Sequence, residues 1–164
     1  MIQLKILDKN RTWLQLESIL VNIDSLYSKC RTAINCFILL NCKKNIMSCL
    51  GNDASLHSPN QISSPNGAYH AVMQDDGNFV LYSTPSRKPL WASNTNGKGQ
   101  GPFRVTMQDD GNLVIYETCG KPTWSSNTYY KGTKPYQLVM QDDGNLVIYD
   151  CNRHATWATD PLRH

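Results

Sequence analysis

Five side-chain types recur three times in this chain at two-residue intervals. The sets are Gln74, Asp76, Asn78, Val80 and Tyr82; Gln108, Asp110, Asn112, Val114 and Tyr116; and Gln141, Asp143, Asn145, Val147 and Tyr149. Each offers an amide, a carboxylate, a second amide, a small apolar surface and a phenol. A carboxylate accepts hydrogen bonds, amides both donate and accept, and a phenol supplies a hydroxyl. A ligand dense in hydroxyls meets all of these needs, because every hydroxyl is donor and acceptor at once. Bonds to the Asp are charge-assisted and the stronger ones, and the Val offers a surface for ring C–H groups. An open strip leaves its ligand exposed, so affinity at one set should be weak, on the order of millimolar. Three linked sets can raise avidity by roughly 10²–10⁴.

The elements that carry these sets are themselves repeated. The runs Gln74–Tyr82, Gln108–Tyr116 and Gln141–Tyr149 start 34 and then 33 residues apart, and each leads to a tryptophan, Trp91, Trp124 or Trp157. The one extra residue falls in the Pro-containing stretch 83–90, where a turn absorbs it. Asp-Asp-Gly-Asn in each copy is a turn signal. Phe-Val-Leu-Tyr or Leu-Val-Ile-Tyr after it is β-branched and aromatic. Strands are expected at Tyr69–Met73, Phe103–Met107 and Tyr136–Met140, after each turn, and at each Trp. Alternation along a strand puts Met73, Phe79 and Leu81 on one wholly apolar face and the polar set on the other. A unit of this length has room for three or four short strands and cannot bury a core alone. Three units can do so around a shared axis, with the three Trp residues as its filling. The Trp residues thus read as core rather than as a ligand platform.

Gln-x-Asp-x-Asn-x-Val-x-Tyr, three times in phase with a Trp after each, resembles the bulb-type (monocot, snowdrop-agglutinin-like) mannose-binding lectins, a family that includes fish mucus lectins. The resemblance covers roughly residues 53–164. It implies an all-β fold, the β-prism II of three four-stranded antiparallel sheets with pseudo-threefold symmetry, with residues 55–67 supplying opening strands that complete the third sheet. It also implies mannose held without metal. By this resemblance Asp76 and Asn78, Asp110 and Asn112, and Asp143 and Asn145 take the axial 2-hydroxyl. Gln74, Gln108 and Gln141 take the 3-hydroxyl, and Tyr82, Tyr116 and Tyr149 the 4-hydroxyl. Val80, Val114 and Val147 pack the ring. All fifteen positions match, so three competent sites are expected, with mannose-containing glycans and glycoproteins as partners. The disulfide common in plant members would fall at Gly77 and Phe103, and is therefore absent. Pro161, which lacks a donor N–H, speaks against the family's exchange of a C-terminal strand and leaves a homodimer through another surface.

Rival chemistries fit less well. Calcium loops of the EF-hand type need a bidentate Glu at position twelve. Counting from Asp75, Asp109 and Asp142 gives Ser86, Gly120 and Arg153; one residue later gives Arg87, Lys121 and His154. Glycoside hydrolysis would need a cooperating carboxylate pair, but neighbours such as Asp75 and Asp76 point apart in a turn. The histidines His57, His70, His154 and His164 share no repeat phase, so no common general base emerges. A β-prism scaffold that binds protein rather than sugar is the alternative within the same fold. Against it, the motif is intact in all three copies, although turn geometry requires neither the Gln two before the central Asp nor the Tyr six after it.

Charge and composition divide the chain. The net charge is +3, but residues 1–46 carry seven Lys/Arg against three Asp/Glu, and residues 47–164 nine against ten. The larger part is near neutral and offers no basic groove for nucleic acid. No apolar run of 18 residues suggests a membrane span. Residues 1–46 hold no Gly or Pro. They carry a heptad-like stripe (Trp13, Leu16, Leu20, Ile23, Tyr27) and an Asn10-Arg11-Thr12 glycosylation acceptor that matters only if the chain is secreted. They are expected to be an extension outside the functional fold, with Met47 as a second start at the composition break, and residues 47–164 to form the lectin-like domain. Phe37–Leu40 followed by Lys43-Lys44 is not a clear secretory signal. The compartment is left as extracellular, by non-classical secretion or in mucus, or as cytoplasmic. Six cysteines (Cys30, Cys36, Cys42, Cys49, Cys119, Cys151) show no metal spacing and read as thiols, with a Cys119–Cys151 bridge as the alternative.

Overall fold

A computed structural model describes residues 47–160. The stripe, the glycosylation acceptor and the cysteines expected in 1–46 lie outside the described residues, as does Pro161. Among the described residues twelve strands run in chain order: β1 (Cys49–Gly51), β2 (Ser55–His57), β3 (Gln61–Ser63), β4 (Tyr69–Met73), β5 (Phe79–Ser83), β6 (Pro89–Ala92), β7 (Arg104–Met107), β8 (Leu113–Tyr116), β9 (Pro122–Ser125), β10 (Gln137–Met140), β11 (Leu146–Tyr149) and β12 (Ala155–Ala158). They form three four-stranded antiparallel sheets, ordered β3-β4-β5-β6, β2-β7-β8-β9 and β1-β10-β11-β12. Each repeat thus supplies three consecutive strands: one before the Asp-Gly turn, one after it, and the Trp strand.

The fourth strand of each sheet departs from expectation. The opening strands do not complete a single sheet. They are dealt one to each: β3 onto β4, β2 onto β7, β1 onto β10. A repeat of three strands leaves every sheet one edge short, so each sheet must recruit from the opening segment. Cys49, expected as a thiol, is disulfide-bonded. Spacing could not show this, because pairing follows proximity in the fold. Cys119 is exposed and Cys151 buried, and no bridge joins them.

The apolar parity of the repeats faces inward as expected. Met73, Phe79 and Leu81, with Met107, Leu113 and Ile115 and with Met140, Leu146 and Ile148, form one continuous core. Full burial of each such side chain stabilises by about 1.5–3 kcal/mol. Trp91, Trp124 and Trp157 meet edge to face in a triangle, with ring centroids 5.4 to 6.0 Å apart, half-buried against that core.

A second threefold contact locks the sheets to one another. The glycine of each turn has φ near +85° to +88° and lies against an aromatic ring at the start of the next sheet's repeat strand. Gly77 meets Phe103, Gly111 meets Tyr136, and Gly144 returns to Tyr69. A Cβ at these glycines would stand 2.7–2.8 Å from ring carbon. Gly77 and Phe103, the positions at which the resemblance places a disulfide, are therefore in direct contact, with an aromatic ring where the bridge would be.

Candidate functional site

Each polar set is folded over a hairpin rather than strung along one strand. Gln74 N–H donates to Asn78 O (2.9 Å) and Gly77 N–H to Gln74 O (3.1 Å), so Gln74 and Tyr82 sit on opposite arms. Their side chains meet: Gln74 Nε2 donates to Tyr82 Oη at 3.0 Å, Gln108 to Tyr116 at 2.6 Å and Gln141 to Tyr149 at 2.8 Å. Before each Tyr the register slips by one residue against the Trp strand; a bulge of this kind re-aims a side chain. Val80 and Val114 keep only 3% exposure and Val147 none, so the open apolar patch expected for ring C–H groups is almost wholly covered.

In the first two sets the Asp and the Asn are each pinned through one side-chain oxygen. Asp76 Oδ1 accepts from Asn78 N–H at 2.9 Å, leaving Oδ2 as an acceptor. Asn78 Oδ1 accepts from Ser93 Oγ (3.1 Å) and Thr95 N–H (3.3 Å). A backbone N–H can only donate, so the amide orientation is fixed and Nδ2 is left as a donor. The second set repeats this: Asn112 N–H to Asp110 Oδ1 (2.9 Å), and Ser126 Oγ and Thr128 N–H to Asn112 Oδ1 (3.1 and 3.2 Å). An acceptor beside a donor is the arrangement one hydroxyl can satisfy at both lone pair and proton.

Ser93, Thr95, Ser126 and Thr128 escaped the sequence reading as functional residues. Thr95 Oγ1 also donates to Gly77 O and Thr128 Oγ1 to Gly111 O, both at 2.7 Å, and tie each Trp strand to its turn. Their signal was the recurrence of Ser-Asn-Thr two residues after Trp91 and Trp124. The middle residues, Asn94 and Asn127, take left-handed φ of 56° and 57°.

The third set differs at this point. Asp160 replaces the middle Asn, and Pro161 stands where Thr would be. A residue before Pro is pushed toward extended conformations, and Asp160 is not among the left-handed residues. Asn145 Oδ1 accepts from Thr159 Oγ1 and Asp160 N–H, both at 2.9 Å. Asn145 Nδ2 donates to Asp160 O at 2.9 Å, and Asn145 is fully buried. The chain's own carbonyl lies on the amide nitrogen that is left as a donor in the other two sets.

The three phenols are also braced differently. Tyr82 stacks on His70 (centroids 5.5 Å apart), Arg104 lies 4.7 Å over Tyr116, and Tyr149 pairs across the strands with buried Gln137. Partial burial pushes the His70 imidazole below its ordinary value of 6.5. The unfolded chain therefore binds this proton more tightly. The stability His70 contributes is complete above pH 6.5 and is lost as the pH falls through the folded value. The melting temperature is expected to drop as the pH falls below 6.5, with His70→Gln removing that part of the slope in calorimetric scans.

Among the described residues there is no group of three or more His, Cys, Asp or Glu that could hold a metal ion, and no helix long and apolar enough to cross a membrane. In the second and third pairs the first Asp serves the fold instead: Asp109 accepts from Asn52 Nδ2 (2.6 Å) and Asp142 from Asn66 N–H (2.8 Å). The Asn52 amide, together with the Lys134 ammonium, holds the Asp109 carboxyl below its usual range.

Among solved structures, the chain is similar to a monomeric monocot mannose-binding lectin from Gastrodia elata, with 38% identity and a TM-score of 0.62, over 70% of this chain and 97% of that one. It is also similar to the mannose-specific agglutinin of snowdrop (Galanthus nivalis) in complex with methyl-α-D-mannoside, with 37% identity and a TM-score of 0.58, over 70% of this chain and 96% of that one. The chain belongs to the bulb-type mannose-binding lectin family. Its three sheets are the β-prism II of that family, and it is a carbohydrate-binding lectin rather than an enzyme. A curated relative, the B-type lectin plumieribetin of the fish Scorpaena plumieri, is 44% identical over 48 residues, 29% of this chain and 40% of that protein's length. No family model matches the chain.

Proposed function

We propose that this lectin binds terminal D-mannose of glycans, without metal, at its repeated clefts. The observation that carries the reading is the fixed pair in the first two sets, Asp Oδ2 as acceptor beside Asn Nδ2 as donor. An axial 2-hydroxyl donates to the first and accepts from the second. The Gln and Tyr take the 3- and 4-hydroxyls by exchanging their mutual hydrogen bond for bonds to sugar. Family membership supports the same assignment, as does the mannoside in the snowdrop complex. The clefts at Asp76/Asn78 and Asp110/Asn112 are ready for ligand. The cleft at Asp143/Asn145 fills last and most weakly, because Asp160 O must first leave Asn145 Nδ2.

Titration with methyl α-D-mannoside, followed through side-chain amide resonances, tests this. Asn78 and Asn112 should shift together at millimolar sugar, Asn145 only at higher concentration. A chelator should change nothing, and galactose should not compete. Strict dependence on calcium, or competition by galactose but not mannose, would overturn the reading.

A further inference from the structure

The repeats are not equivalent beside their clefts. After the Trp strand of the first repeat the chain runs Asn96-Gly97; after that of the second it runs Tyr129-Tyr130. The backbone is the same in both. Gly97 N–H donates to Asp76 O at 2.9 Å, and Tyr130 N–H donates to Asp110 O at 2.6 Å. Tyr130 thus holds a glycine's place, at φ 58° against 71° for Gly97. A bulky residue in left-handed backbone is an outlier of the kind that collects at ligand sites. Nothing in the core requires this ring, since Tyr130 is 81% exposed and its neighbour Tyr129 61%. The two rings stand edge to face, 6.1 Å between centroids.

Tyr130 also forms a wall of a groove of about 770 Å³. Gln108 and Asp110 of the second cleft line the same groove, which continues past them to Thr133, Lys134 and Tyr136. The volume lies in the range of ligand pockets and exceeds what one hexose ring needs.

We propose that this groove is a second subsite. It holds the next sugar of an oligosaccharide whose terminal mannose occupies the cleft at Asp110 and Asn112, with Tyr130 as the platform for that sugar's C–H face. The proposal rests on the mannose reading above. Sugar C–H hydrogens carry partial positive charge and pack on the negative face of an aromatic ring. Thr133 and Lys134, whose ammonium pairs with Asp109 at 3.0 Å, line the same groove and supply polar groups for the outward hydroxyls. The first repeat, with Gly97 in place of Tyr130, has no such platform.

The test compares methyl α-D-mannoside with each of the α-linked mannobioses, read separately at Asn78 and Asn112 by side-chain amide shifts. At least one mannobiose should bind about five- to tenfold more tightly than the monosaccharide at Asn112, the scale of one aromatic contact, and about equally at Asn78. In Tyr130→Gly, which suits the left-handed backbone and keeps the N–H, that ratio should fall to about one. In Tyr130→Phe it should persist. Equal affinities at Asn112 for every disaccharide, or a gain that survives in Tyr130→Gly, would overturn the subsite alone. No response to either sugar at either residue would refute the mannose reading and the subsite with it.

Discussion

Replacing Asp76 and Asp110 together by Asn should reduce mannoside binding at the first two clefts by about 10- to 100-fold each while leaving the fold intact. Oδ1 of the new side chain still accepts the N–H of Asn78 or Asn112, so the turn keeps its internal bond. The other carboxylate oxygen becomes an NH₂ group beside the NH₂ of the following Asn. The sugar hydroxyl then meets two donors and no acceptor, and a charge-assisted bond worth about 1.5–3 kcal/mol is lost. Agglutination of mannose-rich cells should fall more steeply than either single-cleft affinity, because avidity compounds the loss. Calorimetric titration gives the affinities and circular dichroism checks the fold. A double variant that binds as well as the parent would remove these carboxylates from the site.

Gly111→Ala should be among the most damaging single methyl additions in the domain. The new Cβ would stand 2.7 Å from the Tyr136 ring, at a φ of +87° that side chains rarely adopt. Tyr136 is itself buried, with its hydroxyl on Gly132 O and its N–H on Asn52 Oδ1, so it cannot swing aside cheaply. A loss of about 3–5 kcal/mol is expected from strain and clash together, out of the roughly 5–15 kcal/mol that holds an ordinary domain folded. Gly120→Ala is the control. Its φ of +78° is also left-handed, but a Cβ there meets nothing within 4 Å, so only the backbone penalty of about 1–2 kcal/mol remains. Urea denaturation of the two variants separates the terms. Equal losses would mean that the ring contact between neighbouring sheets contributes nothing.

Much of this molecule was legible in the sequence because its signals came in triplicate. The expected strand Tyr69–Met73 is β4 residue for residue, and Phe103–Met107 and Tyr136–Met140 are β7 and β10 less one residue. Met73, Phe79 and Leu81 share the inward face because Met73 and Phe79 are partners across the hairpin and Leu81 follows Phe79 by two residues. Local alternation says nothing, however, about which distant edge a three-residue strand will join, and so the dealing of β1, β2 and β3 was missed. Nor could it show that the polar strip is bent. Gln74 belongs to one arm of a hairpin and Tyr82 to the other, and only the closed hairpin brings the amide onto the phenol and sinks Val80. Matching the motif at Asn145 likewise left out the residues beyond Trp157. There Asp160-Pro161 replaces Asn-Thr, and a carbonyl comes to lie on the amide.

The wiring of the opening strands also dictates the order in which the sheets can be finished as the polypeptide leaves the ribosome. β3 finds β4 almost at once; β2 must wait until β7 has emerged; β1 stays without its neighbour until Gln137–Val139 is made. A nascent chain therefore carries an incomplete edge for most of its synthesis, and a product that stops short of β10 leaves Cys49–Gly51 with no strand to pair with. The price of threefold regularity is a first strand that depends on one of the last, so that nearly the whole domain must exist before its earliest residues are at rest.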